Sequence, residues 1–309
     1  MTRLLTATTA PDALPPPGFT WSRADADAAL AVLADPPDVP RDVVVLTDEE
    51  IVALDGLQNE QPSPTPWLDA QDLTAAQLGG IALRGLIARS MVALGPAEAA
   101  DGSPTGELRL TACREITGVL MLRRTAQTVL HLSREGDAGA RWVFAYAHHG
   151  RGVLIEDVDP NGLHAFGATT AAGAAEYLRA LANPEDAPGA EHAPVVWGAD
   201  AFASLTAWPA PFDEDGGVAS LALRHHGRTG VATAVVHAGR AHVGLLRSLP
   251  DGRLEGSGLT DAGLRDLLHA ALRGDDPFLS GRDESESVPA LVGAILRATA
   301  PLESESAAS

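Results

Sequence analysis

Residues 128–182 read TVLHLSREGDAGARWVFAYAHHGRGVLIEDVDPNGLHAFGATTAAGAAEYLRALA, and this stretch decides the fold class. It holds four short segments rich in branched and aromatic residues, TVLHLSRE, RWVFAYAH, GVLIEDVD and GLHAFGA. Turn residues separate them, which is typical of antiparallel strands. The segment TAAGAAEYLRALA, roughly 170–182, follows and predicts a helix that stops at Asn183-Pro184. We therefore expect an α+β fold in which an antiparallel sheet packs against helices.

The tetrapeptide His-His-Gly-Arg occurs twice, at 148–151 and at 225–228. Each copy lies between two apolar segments and is followed by a helical pattern. Residues 128–183 and 218–274 are therefore predicted to be related units, which makes the fold two quasi-symmetric halves. The central His-Gly pair of each copy is expected in a type I′ hairpin turn, where both residues need positive φ.

The alternative for the four histidines of these tetrapeptides is a metal site. Adjacent residues of a strand point to opposite faces, so each pair offers one ligand to a common site. No Asp or Glu recurs in register with them, and no metal or other cofactor is expected. The segment DVDPNG at 157–162 begins like a calcium loop, but Ala168 stands where such a loop needs glutamate. A hairpin turn is expected there instead.

Two helices with clear start signals precede the sheet. Thr47 with Glu50 and Thr74 with Gln77 have the spacing of capping boxes. The second helix is predicted to span 74–93. A helix, a linker, a longer helix and a glycine-containing hairpin are also the order of a winged-helix module, in which helix 74–93 would read DNA.

Charge argues against that second interpretation. Residues 42–125 hold 12 acidic and 6 basic side chains, a net charge of −6, and the whole chain of 309 residues has a net charge of −19. Such a balance opposes contact with nucleic acid and with anionic membranes. A DNA-binding regulator therefore stays the alternative to a protein-binding function.

Other features of the sequence exclude several classes of protein. All 22 basic residues are arginine, and the single cysteine, Cys113, excludes an internal disulfide framework. No apolar run reaches the length of a membrane span, and the N-terminus does not resemble a secretory signal, so we expect a cytoplasmic protein. No nucleophile elbow, phosphate-binding loop or dinucleotide motif is present, and we expect no enzymatic activity.

The predicted organisation has five parts. They are an extension rich in Pro, Ala and Asp with a short helix (1–40), a first helix-plus-sheet half (41–183), a Pro-rich connector (184–217), a second sheet-plus-helix half (218–300) and an acidic disordered tail (301–309). The second half is expected to end in two helices, and their apolar stripes make this half the expected docking face.

The order of these elements resembles the EspG family, cytoplasmic chaperones of actinobacterial type VII secretion systems. The similar segments are LTDEEIVAL, LRGLIARSMVAL, WVFAYAHHGRGVLI and LRHHGRTGVATAVVHAGRAHVGLLRS followed by LTDAGLRDLLHAAL, within roughly residues 44–300. The resemblance implies two sheet-plus-helix halves and a helical PE/PPE-like secretion substrate as the partner. The Pro-rich connector is shorter than in that family, and no single binding residue is carried over.

Overall fold

The computed structural model describes residues 21–57, 59–98, 104–136, 139–198, 219–227, 230–249, 251 and 253–275. Within them, ten strands form one antiparallel sheet and two further strands form a separate hairpin. The helices are α1 (Arg23–Val32), α2 (Asp48–Asp55), α3 (Pro66–Asp69), α4 (Ala75–Ala88), α5 (Arg114–Thr125), α6 (Ala171–Ala182) and α7 (Asp261–Leu272). The strands are β1 (Arg41–Thr47), β2 (Val92–Glu98), β3 (Pro104–Ala112), β4 (Thr128–Gly136), β5 (Gly139–His148), β6 (Gly152–Val158), β7 (Leu163–Thr169), β8 (Gly189–Trp197), β9 (Ala219–Gly227), β10 (Gly230–Ala238), β11 (Val243–Ser248) and β12 (Leu254–Thr260).

The large sheet consists of two similar meanders that meet at its centre. β4 to β7 lead into α6, β9 to β12 lead into α7, and β4 pairs antiparallel with β9. The outer edges are extended by β1 beside β7 and by β8 beside β12. The predicted α+β class with antiparallel strands is confirmed, and the two halves share one continuous sheet.

The helices that close the two meanders begin in the same way. The hydroxyl of Thr170 accepts a hydrogen bond from the backbone N–H of Gly173 at 3.0 Å, and Thr260 accepts one from Gly263 at the same distance. Both helices pack against each other and against one face of the sheet. The core of this face includes the fully buried residues Leu130, Val143, Ala145, Leu178, Leu264 and Leu268.

The first His-His-Gly-Arg copy forms the turn between β5 and β6. The backbone N–H of Arg151 donates to the carbonyl of His148 at 2.9 Å, and Gly150 has a φ of 74°. His149 is not among the residues with positive φ. The predicted turn is present, but the type I′ prediction is wrong, because glycine alone supplies the left-handed conformation here.

The second copy does not occupy the equivalent place. His226 and Gly227 are the last two residues of β9 and pair with Val231 and Gly230 of β10, so the turn predicted at this pair is wrong. The connection at 228–229 lies outside the described residues. β9 is the first strand of its meander, whereas β5 is the second. The segment equivalent to 148–151 is His-Ala-Gly-Arg at 237–240, between β10 and β11. The identical letters therefore belong to different hairpins of the repeated unit.

Other predicted boundaries also change. The helix predicted over 74–93 ends at Ala88, because Ser90 takes a φ of 60° and Val92 begins β2. The Pro-rich connector predicted over 184–217 contains β8, which pairs with β12. The helices α3 and α5 and the strands β1 and β12 are additional to the predicted elements. The second C-terminal helix and the acidic tail 301–309 lie outside the described residues.

The opposite face of the first meander is covered by α1 and α5. The closest approach of these helices is at Gly118, where a Cβ atom would lie 2.7 Å from the Ala28 carbonyl oxygen and 2.7 Å from a methyl group of Val32. Their apolar sides enclose the aromatic rings of Phe144 and Tyr146 on the sheet. α2, α4 and the β2–β3 hairpin extend this layer outward.

Candidate interaction groove

A groove of about 530 Å³ lies on the outer side of α5. Its walls are the first turns of α1, the last turn of α2 and the β2–β3 hairpin, and Leu83 of α4 closes one end. The apolar side chains that line it are Trp21, Ala24, Ala28, Ala53, Leu54, Leu83, Val92, Leu110, Ala112 and Leu120.

The hairpin wall presents an apolar strip to the groove. Val92 is paired with Ala112 and Leu94 with Leu110, and residues directly opposite in an antiparallel pair project from the same face. Leu94 does not line the groove itself, but it is the cross-strand neighbour of Leu110, which does, so it extends the strip to the rim, where it is 51% exposed. Leu57, next to Gly56 of the lining, is 41% exposed. The apolar surface therefore continues beyond the groove into solvent.

The charged groups beside the groove are mostly engaged within the protein. Asp25 caps α1 by accepting hydrogen bonds from the N–H and the hydroxyl of Ser22, both at 2.6 Å. Arg114 donates to the carbonyl of Asp27 at 3.2 Å. Asp55 is 5% exposed and accepts three hydrogen bonds from Arg124, at 3.3, 3.1 and 2.5 Å. These bonds leave the groove with few acidic groups to offer to a polar ligand.

Behind the groove, Glu156 of β6 lies at the centre of a buried polar network. Its two oxygens accept hydrogen bonds from Arg123 at 3.0 and 3.2 Å, from the hydroxyl of Ser63 at 2.8 Å and from the hydroxyl of Tyr146 at 2.7 Å. Glu156 is 0% exposed and Arg123 is 3% exposed. These bonds attach α5 and the segment before α3 to the sheet.

His164 of β7 continues the network to α2. Its Nδ1 atom lies 2.7 Å from Glu156, and its Nε2 atom lies 2.7 Å from Asp48. Asp48 also accepts hydrogen bonds from the backbone N–H groups of Trp67 and Leu68, at 2.8 and 2.9 Å. One buried carboxylate thus joins the first turn of α2, the start of α3 and the sheet.

The environment sets the charge of both central groups. Burial opposes ionisation of Glu156, but the positive charge of Arg123 and the hydrogen bond from His164 outweigh it and hold the pKa of this carboxyl well below its usual range. Burial also opposes the charged form of His164, but its hydrogen bonds to Asp48 and Glu156 raise its pKa above the usual 6.5. A charged imidazole between two carboxylates is the favoured state.

This network is absent from the residues predicted from the sequence to be functional, although strand periodicity contains a signal for it. In β6 the inward positions of one face are Leu154, Glu156 and Val158, and in β7 His164 and Phe166 alternate in the same way. A charged residue in register with buried apolar residues indicates an inward polar group. The partners of these two residues are far away in the sequence and could not be deduced from spacing.

The exposed face of α4 was the predicted reading helix of a winged-helix module. The order α2, α3, α4, β2 and β3 matches that module, but the outward face carries Ile81, which is 64% exposed. Arg89 forms an ion pair with Glu50, which leaves Arg84 as the exposed arginine of this helix without an ion pair among the described residues. A DNA-reading helix normally presents several basic or amide side chains to phosphates and base edges.

The histidines of the first tetrapeptide are engaged with the protein itself. The ring of His148 donates to the carbonyl of Leu122 at 3.1 Å, and burial lowers its pKa to about 4. The ring of His149 lies 3.0 Å from the hydroxyl of Thr128. In the part of the chain that the structure describes, no three His, Cys, Asp or Glu side chains converge on a metal position. The carboxylates around His164 contact opposite ring nitrogens and do not converge either.

The docking face predicted for residues 218–300 is not available on α7. The apolar stripe of this helix, Leu264, Leu268 and Leu272, is 0–2% exposed because it packs on the sheet and on α6. This prediction is wrong for α7, and the stripe ALVGAIL near the C-terminus lies outside the described residues. Exposed apolar residues lie around α4 and the β2–β3 hairpin, where Leu73, Ile81 and Leu94 are 50–64% exposed, and also on the edge strands β1 and β8.

No helix in the described part of the chain is long and apolar enough to cross a membrane. No family model and no curated protein matches the sequence. Among solved structures, the type VII secretion system chaperone EspG5 of Mycobacterium tuberculosis, in complex with the PE25–PPE41 dimer, is similar in fold. It is 10% identical, covers 79% of this chain and 99% of its own, and superposes with a TM-score of 0.46. The likeness is a coarse one.

Proposed function

We propose that the chain is a protein-binding adaptor or chaperone that holds an apolar helical segment of a partner protein in the groove between α1, α2, α5 and the β2–β3 hairpin. The observation that carries this proposal is an open apolar groove whose strip continues to a half-exposed leucine, Leu94, at the rim. Exposed apolar surface beside a concave site is typical of protein-interaction sites.

The size of the groove fits a helix. A cavity of about 150 Å³ holds one benzene-sized group, so a volume of about 530 Å³ has room for about three apolar side chains. Amphipathic helices dock in grooves through anchors at positions i, i+3 or i+4, and i+7. Three anchors are therefore the number that one helix of two to three turns supplies.

The backbone of a helix also fits this groove with few requirements, because its N–H and C=O groups are bonded internally and need no partner in the groove. The helical walls offer an extended peptide no edge to pair with away from the helix ends. An extended peptide could pair only with an outer edge of the two-stranded β2–β3 sheet, where no other described strand pairs. The apolar strip of the hairpin, which includes Leu94 and Leu110, offers no charged group to a phosphate. The net charge of −19 also opposes a nucleic-acid partner.

The finer form of the proposal is a cytoplasmic, EspG-like chaperone that keeps a helical type VII secretion substrate soluble. It is supported by the resemblance in the order of elements described in the sequence analysis. The proposal assigns a binding function and no catalytic step, because the buried ionisable groups are satisfied by one another and the groove is apolar.

The experiment is a titration of the purified full-length protein with amphipathic helical hairpins and with duplex DNA, each at 50 and 200 mM salt. Helix affinity is expected to change little with salt, because apolar burial is not screened. Binding of DNA through Arg84 and Arg89 would weaken about tenfold for two phosphate contacts over that range. Salt-sensitive DNA binding without binding of any hairpin would contradict the proposal and favour the winged-helix alternative.

A matched pair of variants locates the binding face. Leu94→Glu changes a strand residue that is 51% exposed at the groove, and Val45→Glu changes one that is 54% exposed on the edge strand β1. Leu94→Glu is expected to weaken hairpin binding about tenfold, since burial of the exposed half of a leucine contributes about 0.8–1.5 kcal/mol and the new carboxylate would have to lose water in the complex. Val45→Glu is expected to bind like the unmodified protein, and equal losses in both variants would refute this location.

A further inference from the structure

The helix α2 is held at both ends by the same buried network. Its first residue, Asp48, contacts His164 at 2.7 Å, and its last residue, Asp55, contacts Arg124 at 2.5 Å and Arg123 at 3.5 Å. The last turn of α2 forms one wall of the groove. The position of that wall therefore depends on the charges that hold the two ends of the helix.

His164 can donate to Asp48 of α2 and to Glu156 of the sheet at the same time only with both ring nitrogens protonated. A neutral imidazole has one N–H group, so it can donate to one carboxylate and must turn a lone pair toward the other. Asp48 is stabilised as an acceptor by two backbone N–H groups, and Glu156 by the guanidinium of Arg123. The imidazolium is thus the form that satisfies both sides.

The charges around the imidazole come from every element packed against it. α2 contributes Asp48, β6 contributes Glu156, and α5 contributes Arg123, whose positive charge opposes protonation. The ring of Phe166 lies 6.5 Å away on its own strand. The network holds three carboxylates, those of Asp48, Asp55 and Glu156, and three cations when the imidazole is charged, namely Arg123, Arg124 and His164. When the imidazole is neutral, one buried negative charge has no counter-ion. An unpaired charge that is buried away from water is costly.

We propose that His164 is a protonation-dependent positioning residue for the groove: its imidazolium fixes the first turn of α2, and loss of the proton releases α2 and weakens helix binding. The effect on helix binding rests on the proposed function, whereas the release of α2 rests only on the hydrogen bonds of His164 to Asp48 and Glu156. Because the pKa of His164 is raised, the release belongs to pH values above the ordinary range of histidine.

The first measurement is made on the unmodified protein without any partner. Nuclear magnetic resonance of histidine-labelled protein is expected to show both nitrogens of the His164 ring protonated at pH 7. Amide hydrogen exchange of α2 is then compared with that of α6 from pH 6 to pH 9. The ratio of the two rates is expected to rise by up to about tenfold per pH unit once His164 titrates, because one proton is lost in the release. α6 serves as the internal control, since it packs on the opposite face of the sheet.

A variant pair tests the cause. In His164→Gln the exchange ratio is expected to be independent of pH, whereas His192→Gln, on the exposed strand β8, is expected to keep the pH dependence. If His164→Gln does not fold, the measurements on the unmodified protein still decide. A singly protonated ring at pH 7, or a constant exchange ratio across the titration, would overturn the inference.

Helical hairpins added over the same pH range separate this inference from the proposed function. Affinity that falls as the α2 exchange ratio rises supports both. Absence of hairpin binding at every pH, together with the expected exchange and resonance data, contradicts the proposed function and leaves the role of His164 in positioning α2 intact. Hairpin affinity that stays constant while the α2 exchange ratio changes contradicts the link between the protonation of His164 and binding in the groove.

Discussion

The substitution Glu156→Gln tests how much the buried network contributes to folding. Glu156 is 0% exposed and accepts hydrogen bonds from the side chains of Arg123, Ser63, Tyr146 and His164. Glutamine has nearly the same shape, but its NH2 group would face donors, and the charges of Arg123 and His164 would lose their central counter-ion. The variant therefore leaves buried positive charge without compensation.

Removal of one partner from a buried ion pair costs about 3–5 kcal/mol. For a protein of this size the midpoint of thermal unfolding falls by about 2–4 °C per kcal/mol, so a decrease of roughly 6–20 °C is expected. Urea unfolding followed by tryptophan fluorescence measures the free energy directly, since the chain contains five tryptophans. Total stabilities of about 5–15 kcal/mol leave the variant measurable in most of this range.

The adjacent residue on β6 provides the control. Asp157 projects from the other face, pairs with Arg141 and accepts a hydrogen bond from the hydroxyl of Tyr177. Its side chain is 12% exposed and that of Arg141 is 48% exposed, so solvent reaches this pair from one side. Asp157→Asn is expected to cost about 1–2 kcal/mol, less than Glu156→Gln, because solvent screens the pair and asparagine keeps an oxygen that can accept from Tyr177. A loss below about 1 kcal/mol for Glu156→Gln, or equal losses for both variants, would refute the reasoning that the buried network supports the fold.

Two further predictions concern the repeat and the response to pH. Gly173→Ala is expected to lower the free energy of unfolding by about 1–3 kcal/mol, because the new Cβ would collide with the Asp38 carbonyl. At the equivalent position of α7, the Cβ of Gly263→Ala would meet its nearest atom at 3.1 Å, and a loss of less than about 1 kcal/mol is expected. Equal effects in urea unfolding would contradict the packing difference. The temperature of the unfolding midpoint is expected to be highest near pH 6.5. It falls at higher pH because the raised pKa of His164 stabilises the fold only while this residue is protonated. It falls at lower pH because His148, with a pKa of about 4, stays neutral in the fold while the same residue binds a proton in the unfolded chain. A midpoint that stays constant from pH 5 to pH 9 would show that these histidines do not control stability.

Elements with a local signal were predicted well from the sequence. The strands β4 to β7 alternate or carry branched and aromatic residues. The helices α6 and α7 follow Thr170 and Thr260, whose hydroxyls cap their first turns. Such signals are contained in a few neighbouring residues.

Elements without a local signal were missed. α5 is buried over most of its length, and its middle, Ile116 to Leu122, is almost wholly apolar with charged residues only at the two ends, so it shows no helical alternation of polar and apolar residues. β8 is exposed along most of its length and has no alternation of polar and apolar residues. In β12 the inward positions include Gly256 and Gly258, which carry no hydrophobic signal, and Gly258 is required because a Cβ would lie 2.5 Å from the carbonyl oxygen of Ala190.

The groove and the buried network depend on contacts between distant parts of the chain. The hydrogen bond between Asp48 and His164 joins residues 116 positions apart, and the groove combines segments from Trp21 to Leu120. Sequence spacing does not report such contacts. The repeated His-His-Gly-Arg tetrapeptide misled for the opposite reason, because the fold repeats the order of strands and not the letters.

The most direct test of the central claim is photo-crosslinking of a helical hairpin to the full-length protein. A benzophenone amino acid is placed at position 94, on the groove rim, or at position 45, on the edge strand β1, where the native side chains are 51% and 54% exposed. The account predicts crosslinking from position 94, which unlabelled hairpin competes away, and little crosslinking from position 45. Crosslinking from position 45 alone, or equal yields from both positions, would contradict the assignment of the groove as the binding site.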